Sequence, residues 1–438
     1  MASVEQLELY PRPAEDEPNA GDRIEPRSKG CSSLMARVLE RDNLMRALKQ
    51  VKRNKGAPGV DGVTVEAFPA YLQHYWALIR AQLVAGSYRP KPVRRVEIRK
   101  LDGRKRKLGI PTVVDRFIQQ AIAQVLQAQW EARFDEHSYG FRPRRSAHQA
   151  IRHAQTTIKA GYRWFVNCDL DAFFDRVNHD VLMTRLKRHR QDDEVLRLIM
   201  KAGVGRGDKT VANVEGVSQG APLSPVLSNI VLNDLDWELD RRGHQFARYA
   251  DDSAIFVRSR EAGERVLASL QRYLGDSLRL RVNTRKSAVD RPWNRTFLGI
   301  TFSRRGDRIK VSNDAILKLK AAVRILSRRT RGHSLFRVIA DLEKTLLGWK
   351  AYFDISEVLI ALRDVDKWIR RKLRCYLWKQ WCRSGYRQLR RLGVERQLAW
   401  NTAKSAHGPW RLSASPALYR ALPNRYFRGL GLPELAAR

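Results

Sequence analysis

Apolar positions recur at helical spacing early in the chain, at Leu34, Val38, Leu39, Leu44 and Leu48, and predict one helix there. The run Lys52-Arg53-Asn54-Lys55-Gly56-Ala57-Pro58-Gly59 ends it in a basic loop with turn chemistry. Over Arg94 to Ile98 the pattern switches to alternation. A turn follows at Leu101-Asp102-Gly103-Arg104, and Lys107-Leu108-Gly109-Ile110 returns, which predicts a basic hairpin. Strand-like and helix-like stretches then alternate between residues 160 and 305, the signature of an α+β layer. Within that region Trp164 to Leu170 is a short apolar run ending in acid. Leu227, Val231, Leu235 and Leu239 keep a four-residue spacing behind Ser224-Pro225, with Ser as cap and Pro as first helical residue. Phe246 to Val257 reads as two short strands around Ala250-Asp251-Asp252. After residue 306 the period is helical throughout, with stripes at Ile316, Leu319, Val323 and Leu326 and at Leu335, Val338, Leu342 and Leu346, and a third long helix over Val358 to Trp381. The pattern divides the chain into a lead-in over 1–30, a mixed region over 31–305, a helical region over 306–395 and a short basic tail over 396–438.

Charge changes the picture most. The 438 residues carry 83 Lys and Arg against 46 Asp and Glu, a formal net of +37. A positive field of that size favours a polyanion, and nucleic acid is the commonest. Packaging proteins share the charge but are usually shorter and poorer in tryptophan; eleven Trp and 43 % hydrophobic residues point to an enzyme with a sizeable core. Residues 301–400 alone hold 25 bases and 9 acids. The lead-in, with seven acids and four bases, is expected to be disordered and is not a signal peptide. Cys31, Cys168, Cys375 and Cys382 include no C-x-x-C pair and no disulfide framework, so an intracellular, reducing setting, the cytoplasm, is expected. No apolar run is long enough for a membrane span.

The sharpest local chemistry is Tyr249-Ala250-Asp251-Asp252, two adjacent acids inside an apolar hairpin. Burying both without partners is costly, and a divalent cation resolves the conflict, because Mg2+ accepts hard carboxylate oxygens and keeps other positions for water and phosphate. Asp169 ends the apolar run Phe165-Val166-Asn167-Cys168. A strand-end acid beside a hairpin-tip pair can hold two metals about 4 Å apart, the spacing used in in-line phosphoryl transfer. Taken singly, each of these strings also fits a solvated turn.

The order of motifs resembles the group II intron reverse transcriptases. Asp169-Leu170-Asp171-Ala172-Phe173-Phe174-Asp175, then Ser218-Gln219-Gly220-Ala221-Pro222-Leu223-Ser224-Pro225, then Tyr249-Ala250-Asp251-Asp252 is similar to that family's palm. Gly56-Ala57-Pro58-Gly59-Val60-Asp61-Gly62 and Leu108-Gly109-Ile110-Pro111-Thr112-Val113-Val114-Asp115-Arg116 resemble its finger blocks, and His137-Ser138-Tyr139-Gly140-Phe141-Arg142-Pro143 the block between palm and fingers. Leu280-Arg281-Val282-Asn283-Thr284-Arg285-Lys286 and Phe297-Leu298-Gly299-Ile300 resemble the last two polymerase blocks, and Leu346-Leu347-Gly348-Trp349-Lys350-Ala351-Tyr352-Phe353 the maturase region. Each block alone is weakly specific; together, in family order, they are highly specific.

The resemblance implies a right-hand polymerase, fingers and palm over 31–305 with an antiparallel sheet, followed by an all-helical thumb or maturase region over 306–395. It implies two Mg2+ ions held by Asp169, Asp251 and Asp252 with the Leu170 carbonyl as an added ligand. Phe173 is implied as a steric gate against ribose, Gln219 and Gly220 as the floor under template base and nucleotide, Arg106 and Arg116 as contacts to triphosphate or template, and Lys286 as a group reaching the triphosphate. Arg370, Arg371, Lys372 and Arg374 are implied contacts to RNA phosphates. The partners implied are group II intron RNA, a DNA primer or target, and dNTPs. Many family members carry a C-terminal HNH endonuclease. Beyond residue 300 the only histidines are His333 and His407, without a Cys pair, so no such nuclease is expected here. Two other readings share these motifs: a maturase that binds RNA without polymerising, and a domesticated reverse transcriptase serving DNA repair or phage defence.

Overall fold

The computed structural model describes residues 33–99, 105–188, 215–305 and 308–437, together with Val195 and Leu198; the lead-in over 1–30 lies outside them. The chain forms two compact units that divide between Asp290 and Arg291, with the short stretch Ile158–Gly161 grouped with the second.

In the first unit, strands β1 (Arg94–Arg99) and β2 (Lys105–Ile110) form the expected antiparallel hairpin, Arg94 opposite Ile110. Four further strands make one sheet: β3 (Trp164–Asp169), β4 (Gln245–Tyr249), β5 (Asp252–Val257) and β6 (Ala288–Asp290), in the order β4-β5-β3-β6, all antiparallel. Helix Arg260–Leu278, capped by the Ser259 hydroxyl accepting from the Ala262 amide at 3.1 Å, packs on β3. It approaches so closely that a Cβ on Gly263 would lie 2.5 Å from Val289 Cγ1 and 3.3 Å from Val166 Cγ2. Helix Ser224–Arg241 buries Leu227, Val231, Leu235 and Leu239 as the spacing predicts. Its start differs from expectation. Ser224 is already helical, and its hydroxyl donates to the Ser218 carbonyl at 2.7 Å instead of capping. The helix predicted over Leu34 to Leu48 is two helices, Leu34–Val38 and Arg41–Asn54, with Glu40 extended between them. The five-residue step from Leu39 to Leu44 marks the break.

The second unit has its own core. A small hairpin, β7 (Ile300–Phe302) with β8 (Ile309–Val311), leads into helices Asn313–Leu326, Leu335–Phe353 and Ile360–Trp381. Ser312 and Ser334 cap the first two through their hydroxyls. Residues 396–437, read from the sequence as a tail, hold four short helices, with Leu412, Leu418, Leu422 and Phe427 buried in that core. The longest of the four has nine residues, too few for an apolar stripe to repeat along the sequence. Asp366 accepts from the Leu435 and Ala436 amides, each at 3.0 Å, and ties the end of this segment to helix Ile360–Trp381.

Candidate active site

The sheet register decides the site. β3 and β5 pair with Asp169 directly opposite Asp252, so two acids 83 positions apart in sequence become cross-strand neighbours on one face. Tyr249 pairs with Asp252 across the β4–β5 hairpin, which leaves Ala250-Asp251 as a two-residue turn and puts Asp251 beside the pair. Sequence separation hid this meeting; the pleat enforces it.

The end of β3 is strapped by the segment after Leu280. The Asn283 amide donates to the Asp169 carbonyl and the Asp171 amide to the Arg281 carbonyl, both at 2.8 Å, while Leu170 bridges Val282. The Ser287 hydroxyl accepts from the Asp169 amide at 3.0 Å. This strap brings Lys286 Nζ to 3.0 Å and 3.4 Å from the two Asp169 carboxylate oxygens. Leu170 is buried. Burial pushes the Cys168 thiol up to about 12, so a protonated, inert sulfur lies behind Asp169.

The turn is held from two sides. Ala250 adopts a left-handed φ of 58°, which an L residue keeps only where its surroundings impose it. Gly140 presses on it: a Cβ there would sit 2.3 Å from the Ala250 nitrogen. Arg248 donates to the Ala250 carbonyl at 2.9 Å. Neither Gly140 nor Arg248 was singled out as functional from the sequence, although both lie in or beside motif blocks.

The other residues expected at the site separate clearly. Gln219 accepts the Gly109 amide at 3.3 Å through its carbonyl, and Gly220 has φ +99°, so the loop that was expected under the nucleotide meets the end of β2. Arg116 donates to the Ala57 carbonyl at 2.8 Å and its guanidinium lies where a Gly56 Cβ would be, which joins the two finger blocks. Burial lowers its pKa. The neighbouring Asp115 is buried and accepts from Tyr88 Oη at 2.8 Å. Arg106 sits in β2 opposite Ile98; its side chain lies outside the described residues. Phe173 is 2 % exposed and meets Phe174 edge-on at 5.3 Å. Its ring is therefore core in this structure and does not offer the surface that a sugar contact needs.

The basic run on helix Ile360–Trp381 needs correction. Successive helical residues turn by about 100°, so four bases in five positions cannot share a face. Arg374 is 2 % exposed, donates to the Leu422 carbonyl at 3.0 Å and lies 4.1 Å from the centre of the Tyr419 ring. Arg370, one turn earlier, pairs with Glu434 at 3.5 Å. Both are spent on the fold. Arg371 stacks on Trp410 at 4.2 Å. Lys372 alone of the four lines a cavity of about 520 Å3, together with Arg324, Arg328, Arg329, Cys375 and Trp410. Desolvation and the nearby Arg324 and Arg329 lower its pKa. The adjacent bases Arg328-Arg329, just past a predicted helix end, were the readable signal for this cavity.

A reverse transcriptase (RNA-dependent DNA polymerase) family model matches residues 98–302, and the group II intron maturase-specific domain matches 316–393. Protein YkfC of Escherichia coli is 34 % identical over 299 residues, which take in 58 % of this chain and 78 % of that protein. The chain belongs to the group II intron reverse transcriptase/maturase family. Group II intron-encoded protein LtrA of Lactococcus lactis is 36 % identical over 197 residues, 43 % of this chain and 32 % of LtrA. A 91 kDa protein in the cob intron of Schizosaccharomyces pombe is 30 % identical over 245 residues, 52 % of this chain and 29 % of that protein. The matched stretches thus span about a third of the length of these two relatives. As a group II reverse transcriptase, the chain is an RNA-directed DNA polymerase by family, with an α+β polymerase portion and a helical maturase portion. Asp169, Asp251 and Asp252 fall inside the polymerase match and Arg370 to Arg374 inside the maturase match. Among the described residues, no helix is long and apolar enough to cross a membrane.

Proposed function

We propose that this chain extends a DNA primer on an RNA template by two-metal phosphoryl transfer at Asp169, Asp251 and Asp252, and that its second unit binds group II intron RNA to assist splicing and mobility. The observation that carries the reading is the register of β3 and β5, with Asp169 opposite Asp252 and Asp251 in the adjoining turn. Among the described residues no three acid, His or Cys side chains already close into a cage. The donor set nonetheless fits Mg2+: the groups are carboxylates, Asp169 and Asp252 share one sheet face with Asp251 in the adjoining turn, and a cation of the chain itself, Lys286 Nζ, already rests on Asp169. Bound Mg2+ would supply Lewis acidity for the primer 3′-hydroxyl and charge neutralisation for the leaving pyrophosphate. Asp169, Asp251 and Asp252 would hold and orient the ions. Lys286, released from Asp169, would turn its ammonium toward the triphosphate. Gly220, without a side chain, lets the backbone come close to the nucleotide.

In the second unit, Arg324, Arg328, Arg329 and Lys372 gather around one cavity, with no carboxylate among the described residues that line it; RNA phosphates neutralise such a like-charge cluster. Trp410 also lines the cavity, and its ring, with Arg371 stacked on one face, leaves the other face for a base. Extension of a DNA primer on an RNA template, with Mg2+ and with a chelator, tests the proposal. Extension that needs the metal is expected; no extension at any Mg2+ concentration would leave only the RNA-binding reading.

A further inference from the structure

We propose that Arg248, paired with Asp236, is a positioning residue of the polymerase site: it fixes the turn that presents Asp251 and Asp252 to Asp169. This rests on the reading of those acids as the metal-holding set. Arg248 pairs with Ser253 in the β4–β5 register, while Tyr249 pairs with Asp252. Alternation across the pleat therefore puts the Arg248 side chain on the sheet face opposite the acids. It acts from behind.

The guanidinium and the Asp236 carboxylate are both fully buried. All five guanidinium hydrogens are matched by acceptors. Nε donates to Asp236 Oδ1 at 2.6 Å, and Nη2 to Asp236 Oδ2 and to Ser138 Oγ at 2.7 Å. Nη1 donates to Asn229 Oδ1 at 3.0 Å and to the Ala250 carbonyl at 2.9 Å. The backbone of Arg248 is clamped as well: its amide donates to the His137 carbonyl at 2.9 Å, and its carbonyl accepts the Tyr139 amide at 2.8 Å. Asn229 Nδ2 donates to the Gly140 carbonyl at 2.8 Å, so the glycine that touches Ala250 belongs to the same assembly.

For stability alone, this is an odd construction. A buried ion pair is often matched or bettered by apolar residues of similar volume. What apolar residues cannot do is bind the Ala250 carbonyl and hold a left-handed alanine in a two-residue turn. A reacting group misplaced by about 1 Å can lose about a hundredfold in rate. The pair is thus placed where geometry, more than stability, depends on it.

Two variants test this. Arg248→Lys keeps the charge but lacks the planar fork. The double variant Arg248→Met with Asp236→Leu removes both charges, so no buried ion is left without its counterion, while Asn229 Oδ1, Ser138 Oγ and the Ala250 carbonyl lose a donor. Single-nucleotide extension would be measured with KM for dNTP, the Mg2+ midpoint, primer–template affinity and Tm, with Asp252→Ala run in parallel. Expected for whichever variant is folded is a kcat about a hundredfold lower and a Mg2+ midpoint shifted upward, with primer–template affinity unchanged. A folded double variant that extends at the wild-type rate and wild-type Mg2+ midpoint would overturn the positioning role. Wild-type extension by Asp252→Ala would instead overturn the underlying reading of the acids.

Discussion

Lys286 is the group whose removal reports most directly on Asp169. Its Nζ lies 3.0 Å from Asp169 Oδ2, with the lysine side chain 51 % and the aspartate side chain 32 % exposed. At that exposure the pair is screened, and a partly exposed ion pair contributes about 0.2–1 kcal/mol. A metal that takes Asp169 must first displace the lysine. Replacing it with glutamine therefore removes a competitor, and the same energy corresponds to a gain of about 1.4- to 5-fold in affinity for a divalent ion. Mn2+ binding to the full chain without nucleic acid, followed by electron paramagnetic resonance at low and high ionic strength, reads this gain. The gain should shrink as salt rises, because the displaced pair is itself screened. In extension assays the same variant should show a raised KM for dNTP, since the cation proposed to turn toward the triphosphate is gone. Weaker Mn2+ binding in Lys286→Gln, or an unchanged affinity at low salt, would refute the competition and with it the idea that the lysine marks the metal position.

Other predictions follow from single interactions. Gly140→Ala places a Cβ 2.3 Å from the Ala250 nitrogen; extension should fall steeply with a loss of about 1–3 kcal/mol in stability, and a variant with wild-type kcat would show that the turn can give way. Replacing Arg329 and Lys372 with glutamine should flatten the salt dependence of RNA binding by about 0.7–0.9 for each phosphate that is no longer neutralised, while an unaltered slope would move the RNA elsewhere. Deleting residues 396–438 removes Leu412, Leu418, Leu422 and Phe427 from the core they share with the long helices, at about 1.5–3 kcal/mol each; the helical unit should lose its cooperative melting transition, and an unchanged melt would mean that the segment is an appendage.

The sequence carried the elements well where one face repeats. Leu227, Val231, Leu235 and Leu239 announce their helix because a buried stripe must recur with the helical period. The acids were legible as candidates, because carboxylates inside apolar strands need a reason. Their meeting was not, since the partners of β3 and β5 are set by tertiary pairing over a long separation. Arg370 and Arg374 misled because basic composition does not tell which side of a helix faces the core. On helix Ser224–Arg241 a quieter signal was present: Asn229, Asn233 and Asp236 form a polar stripe at helical spacing, all buried. A buried polar stripe asks for a polar partner, and Arg248 is that partner for two of the three.

The most direct test of the central claim is extension of a DNA primer on an RNA template by the variant Asp251→Ala with Asp252→Ala. No extension with RNA binding intact is the result predicted. Extension at the wild-type rate would contradict the assignment of the chemistry to the acids that β3 and the β4–β5 turn bring together.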